Sequence, residues 1–303
     1  MHKEWPHATE SLGHPPGKTY MPLTYLDQVA LLKLGYSAKD DGFRASVNAV
    51  IASGLVTVVV SSWHLVETAH KTNLQKAIAL AEFIDSLNPM WLLERLNIMK
   101  LDVEEDFYRF ANVDFEPMPR VTTRSAAIGS LLGERDSPRY DIPSRDFVRQ
   151  WIERPDQTAV LDRSYRGNAE ALTWARGLAA AGKMTSPVTA AIDREYLRRL
   201  IPARTRSGLD TGRELRDQYL EQADVRRIPS LAIETAISKR EWVSQGGADR
   251  NTLIDKMHLT AALPYTDEIV SDDRFFHRLY PITETTGHVR ARLLSCEDFL
   301  KRF

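Results

Sequence analysis

The sequence predicts an α/β fold: an α/β/α sandwich around a central parallel sheet, interrupted by a mostly helical insertion. Three observations carry that prediction. The run "LVTVVVSS" (55–62) is apolar without alternation, which marks a strand covered on both faces. Strand-like runs alternate with helical patterns over the first hundred residues, the order that builds parallel sheets. The middle of the chain then loses strand-like runs, and the alternation returns near Pro229.

Taken in order, residues 1–22 read as a flexible leader rich in Pro, His and Gly. "PLTYLD" is a short strand ending near Asp27. A helix over "SAKDDGFRASVNAVIASG" closes at Gly54, because glycine adopts the left-handed turn that ends helices. The strand at 55–62 leads into a helix from Ser62 that carries Glu67, and a further helix spans about Leu74 to Leu87. "NIMKLDV" (97–103) is the expected third strand, with a helix starting near Glu104. After Pro229 come the helices "SLAIETAISKREWVSQ" and "NTLIDKMHLTAAL", the strand "EIVS", and the pair "ARLLS" and "CEDFLKRF". The α/β domain is thus assembled from 23–108 and 229–303, and 109–228 is the insertion.

That insertion holds 20 Arg and 1 Lys against 17 acids, so it is mildly basic and almost purely arginine. The whole chain of 303 residues carries a formal charge of -1, so any surface for nucleic acid must be local. Cys296 is the only cysteine, which excludes an internal disulfide framework and a cysteine-rich zinc site. With no signal-like segment and no long apolar span, the expectation is a cytoplasmic protein without a membrane partner.

Ligands of open parallel sheets bind beyond the carboxyl ends of the strands. Acids fall at those places: Asp27 after the first strand, Glu67 in the helix after the second, Asp255 early in a late helix, and Asp272 and Asp273 after "EIVS". Several carboxylates a few ångströms apart cannot all ionise without a cation. An all-oxygen set suits Mg²⁺ or Mn²⁺, which polarise phosphodiesters and lower the pKa of bound water. His258 stands three residues after Asp255, so both can share a helix face and the imidazole can meet substrate. The run "REYLRRLIPARTRSG" offers Arg198, Arg199, Arg204 and Arg206 as contacts to a phosphate backbone.

With these residues in view, the pattern resembles the PIN-like nuclease family. "TYLDQ", "VVVSSWHLVETA", "LIDKMHLTAALPYTDEIVSDDRFF" and "RLLSCEDFLKR" recur in family order over roughly Leu23 to Val103 and Pro229 to Phe303. The resemblance implies a metal-dependent endoribonuclease in which metal-bound water attacks phosphorus in line. It implies that Asp27 and Asp255 hold the first ion, that Asp272 or Asp273 completes the cluster, and that Glu67 holds a second ion or orients the water. Ser271 matches the hydroxyl residue that precedes the last acid, and Asp273 fits the spacing to Phe276, leaving Asp272 as a second ligand or a water-mediated contact. RNA is the implied substrate, with single-stranded DNA as the other option, and a homodimer and a cognate inhibitor protein are family-type partners. Gln28 departs from the family pattern, as does the insertion of about 120 residues.

"GLAAAGKM" (177–184) imitates a phosphate-binding loop but has Met184 where a hydroxyl must bind Mg²⁺, so Gly182 reads as a helix end. Two other functions compete. One is a PIN-like nucleic-acid-binding or scaffold protein without turnover. The other is an aspartate-based phosphatase using Asp27, against which stands Val29 where that chemistry wants a second aspartate.

Overall fold

The structure, a computed structural model, describes residues 21–36, 41–70, 73–134, 137–203, 205–206, 208, 211–244 and 250–303. The side chains of 34–36, 41–44, 46–47, 155–165 and 250–252 lie outside that description. So do residues 1–20 of the expected leader.

The first part of the chain runs β1 (Leu23–Leu26), α1 (Gln28–Tyr36), α2 (Asp41–Ala52), β2 (Thr57–Ser61), α3 (Ser62–Ala69), α4 (Leu74–Ser86), β3 (Met90–Leu92) and α5 (Arg95–Phe110). The middle adds β4 (Val121–Thr122), α6 (Arg124–Leu131), α7 (Ser144–Ile152), α8 (Pro155–Ala180), α9 (Ser186–Leu200) and α10 (Arg213–Gln222). The last part is α11 (Pro229–Trp242), α12 (Arg250–Ala262), β5 (Glu268–Val270), α13 (Arg274–Glu284), β6 (Arg292–Leu294) and α14 (Cys296–Leu300).

These strands form one six-stranded sheet in the order β4-β3-β2-β1-β5-β6, parallel except for β4, which pairs antiparallel with β3. Successive strand residues face opposite sides, and the packing follows that rule. Leu26, Val58, Val60, Trp91, Val270 and Leu294 enter one apolar layer with α1, α3, α4 and α7. Tyr25, Val59, Leu92 and Ile269 enter the other with α5, α11, α12 and α13. Both faces are therefore covered, which is why the strands read as unbroken apolar runs.

The chain leaves β1 toward β2 on one side and returns to β5 on the other. The strand order reverses between β1 and β5, and in open α/β sheets the crevice for a ligand lies at such a switch, outside the carboxyl ends. That crevice fixes where a ligand site can be built.

Two expectations are corrected here. "NIMKLDV" is not a strand but part of α5, which starts at Arg95 and not near Glu104. The spacing of Ile98, Met99, Val103 and Phe107, all fully buried, is helical. Glu94 starts the helix by accepting from the N–H groups of Leu96 (2.7 Å) and Asn97 (3.3 Å). The third strand is the shorter Met90–Leu92 just before it. The sheet, expected to be parallel, is so except at one edge, where the 109–228 segment, mostly helical as expected, supplies the antiparallel β4.

The acidic run of α5 docks the middle segment. Asp102 accepts from Arg120 (2.7 Å) and from the N–H of Ser230 (3.1 Å), and Tyr265 donates to it as well. Glu105 accepts from Arg120 (2.6 Å), Glu104 from Arg206 (2.6 Å), and Asp106 from Tyr219 (2.9 Å). Below these bonds Met99, Val103 and Phe107 share an apolar cluster with Leu197, Leu200, Tyr219, Leu220 and Leu231. Removing one partner from such a buried charge network costs about 3–5 kcal/mol, because the other is left unpaired.

Gly182 has φ +66° directly after α8, the geometry of a helix end and not of a phosphate loop. Among the described residues, no helix is long and apolar enough to cross a membrane.

Candidate functional site

Asp27 is the residue at which β1 ends and α1 begins, and it is 3 % exposed. Its Oδ1 accepts the Ala30 N–H at 2.7 Å, so it caps α1, and its Oδ2 accepts from Ser271 Oγ across the crevice. Burial pushes its carboxyl up to about 7, against those two hydrogen bonds and the field of His258.

Asp255 projects from the second turn of α12 and is half-buried. Among the described residues it has no hydrogen-bond partner. Burial again comes first in raising its carboxyl to about 7; His258 opposes this, and the charges of Asp273, Glu67 and Asp27 add to it. Asp255 on α12 is thus within the electrostatic field of Asp27 after β1, Glu67 on α3 and Asp273 at the β5–α13 junction.

Glu67 on α3 accepts from His258 Nε2 at 2.9 Å. His258 is itself 3 % exposed, and its Nδ1 meets the Tyr25 hydroxyl. Ser61 Oγ lies 3.2 Å from that hydroxyl. One set of protons satisfies the chain: Ser61 donates to Tyr25, Tyr25 to His258 Nδ1, and His258 Nε2–H to Glu67. The His64 ring stacks on His258 at 4.7 Å and accepts the Ser61 N–H at Nδ1 (2.9 Å). Burial holds the His64 imidazole well below its usual range, so it is neutral.

The adjacent aspartates divide their work. Asp273 caps α13 by accepting the Phe275 N–H at 2.6 Å, and its own N–H donates to Ser271 Oγ at 3.0 Å. Its charge acts on both Asp27 and Asp255. Asp272 points elsewhere: it pairs with Lys33 and accepts the Cys296 N–H at 2.9 Å, which ties α1 and the start of α14 to the β5 end. Burial opposes its ionisation, but those bonds hold its carboxyl below the usual value.

The arginines are engaged elsewhere. Arg198 and Arg199 are exposed on α9 and both bind Glu195, while Arg206 is bound to Glu104 of α5. Arg204 lies outside the described residues.

Sequence reasoning missed Tyr25, Ser61 and His64. Signals were present: Tyr25 shares the face of Asp27 two residues on, and His64 is three residues before Glu67, on the same helix face. A hydroxyl and an imidazole inside apolar runs need polar partners once buried.

The donor set is carboxylate oxygen with one imidazole behind it, which suits a hard divalent cation. Glu67 Oε1 and Asp273 Oδ2 make no hydrogen bond among the described residues. As the side chains stand, no three His, Cys, Asp or Glu groups among the described residues are gathered tightly enough to hold an ion. Closing on one therefore requires side-chain rotation toward the partnerless Asp255. No family model matches the chain, and neither does any curated protein or solved structure.

Proposed function

We propose that the protein is a PIN-like, Mg²⁺- or Mn²⁺-dependent endoribonuclease that hydrolyses RNA phosphodiester bonds at Asp27, Glu67, Asp255 and Asp273. The observation that carries this reading is Asp255, a half-buried carboxylate with no hydrogen-bond partner among the described residues, raised to about 7 beside three other acids. A structural carboxylate in that position would have acquired a donor. Strongly perturbed acids in a crevice mark functional sites.

When bound, the ion would supply charge neutralisation for the phosphate and a water acidified toward neutral pH. The chain's own residues do the rest. Asp27 and Asp255 would hold the ion, Asp27 aimed by Ser271 and by its cap on α1. Asp273 would complete the set through Oδ2 while Oδ1 stays on the α13 cap. Glu67, held at Oε2 by His258, would orient the attacking water through Oε1. Asp272, committed to Lys33 and Cys296, serves the fold of the strand end.

One observation favours a second reading, a binding protein of the same fold without turnover: the acids are not already gathered into a coordinating triad. One experiment separates the two. Labelled single-stranded RNA and DNA are incubated with the protein and Mn²⁺, Mg²⁺ or chelator, beside Asp27→Asn and Asp255→Asn. The nuclease reading expects cleavage of RNA that needs the metal and both aspartates. Metal-independent cleavage, or equal cleavage by the variants, defeats it; no cleavage and no metal binding by calorimetry supports the binding protein.

A further inference from the structure

A cavity of about 470 Å³ lies between α8, α9, α11 and α12. That volume is in the range of small-ligand sites, about 300–1,000 Å³. Three aromatic rings line it: Trp174 of α8, Tyr196 of α9 and Trp242 of α11. Trp174 is 58 % exposed, an unusual place for the largest apolar side chain unless something stacks on it.

The cavity also has a built polar wall. Arg95 pairs with Glu234 (2.9 Å), Lys256 with Glu234 (3.0 Å) and with Glu241 (3.4 Å), and Thr260 donates to Glu234 (2.9 Å). Despite burial, the two cations pull the Glu234 carboxyl down to about 2, so Glu234 is ionised, whereas burial raises the Glu241 carboxyl. Arg95 is 7 % exposed, and its Nε has no hydrogen-bond partner among the described residues. Asp193, also on the wall, lies in the field of Lys239. That leaves Arg166 of α8 as an exposed lining guanidinium with no ion pair among the described residues.

Aromatic faces with one free guanidinium match a flat ring carrying one anionic group. Bases stack on aromatic side chains whatever their sequence, and arginine is the preferred phosphate partner. The position relative to the acids narrows the choice. Asp255 and Lys256 are consecutive on α12, and neighbouring helix residues point about 100° apart; the first reaches the acid cluster, the second the cavity wall. Consecutive residues of α12 thus serve the acid cluster and the cavity wall.

We propose that this cavity is a nucleotide pocket that seats one unstacked base of single-stranded RNA against Trp174, Tyr196 and Trp242, with its phosphate on Arg166. The pocket rests on the nuclease reading for the identity of its ligand, but its binding chemistry needs neither the metal nor the acids.

The test is done in chelator, with the full chain, titrating AMP and adenosine as probes and following tryptophan fluorescence and heat. Saturable one-to-one binding of AMP is expected. Trp174→Ala weakens it about tenfold, the size of one lost base stack. Arg166→Gln weakens AMP but leaves adenosine unchanged. Asp27→Asn binds AMP as the unaltered protein does. Excess AMP displaces a labelled single-stranded oligoribonucleotide. Absence of saturable binding, binding indifferent to both α8 substitutions in folded protein, or failure to displace the oligonucleotide overturns the proposal. Trp174-dependent AMP binding in a protein that never cleaves RNA would keep the pocket and remove the nuclease reading alone.

Discussion

Replacing Asp255 by Asn should make the protein more stable while removing its activity. The carboxyl stands at about 7 in the fold against an ordinary 3.8. Such a displacement costs the ionised form about 4 kcal/mol. Because the folded-state value is the raised one, the neutral carboxyl's advantage is complete below pH ~4 and is lost as pH rises through about 7. In chelator, the Tm of the unaltered protein should therefore fall from about pH 4 to 7, beyond the loss common to all variants. The near-isosteric amide carries no charge, though it must still be solvated at a half-buried position, so about half of the penalty, roughly 2 kcal/mol, is the expected gain at pH 7.5. For a chain of this size that is a Tm increase of about 3 °C. At pH 4.5, where only about 1 kcal/mol of the penalty is present, the advantage should be gone and the variant should be the less stable by about 1 kcal/mol. Saturating Mn²⁺, at 100 times its Kd, would raise the unaltered protein by about 2.7 kcal/mol and the variant by much less. Calorimetric scans at both pH values, with and without Mn²⁺, decide it. A variant no more stable at pH 7.5, with the same pH dependence and the same Mn²⁺ response, refutes the reasoning.

Further substitutions test separate parts of the site. Asp273→Ser keeps an oxygen to cap α13, so its stability should stay within about 1 kcal/mol while RNA cleavage falls about 100-fold or more. Asp272→Asn should do the opposite: cleavage within about threefold of normal, with a loss of about 1 kcal/mol in urea unfolding as Lys33 loses its charge partner. Ser271→Ala removes the hydroxyl that stabilises ionised Asp27, so the acid limb of the cleavage pH profile should move upward. Asp102→Ala, remote from the crevice, should cost about 3–5 kcal/mol in equilibrium unfolding, since it strands Arg120, Ser230 and Tyr265.

What was legible in the sequence follows from the physics of each element. β2 and β5 were readable because strands covered on both faces are apolar at every position, and the acids after β1 and β5 stood out as abrupt charge beside them. β3 was not, because three residues are too few to show a period, and the helical spacing of Ile98, Met99 and Val103 in α5 was masked by the charges between them. Those charges are buried: Asp102, Glu104, Glu105 and Asp106 look like a solvated face until Arg120, Arg206 and Tyr219 arrive from far along the chain. The two-residue β4 exists only through its pairing with β3. In the site, the positions of the acids could be read from strand ends, whereas the Ser61–Tyr25–His258–Glu67 chain could not, because it joins residues up to 233 positions apart.

The proposed site has Asp27, Asp255 and Asp273 sharing one divalent cation. Crystals soaked in Mn²⁺ and measured at its absorption edge test it most directly. The account predicts an anomalous peak between those three carboxylates, within about 2.2 Å of an oxygen from each, with Asp272 still on Lys33. Mn²⁺ density elsewhere, or a saturating soak that leaves the crevice empty with Asp255 still partnerless, would contradict it.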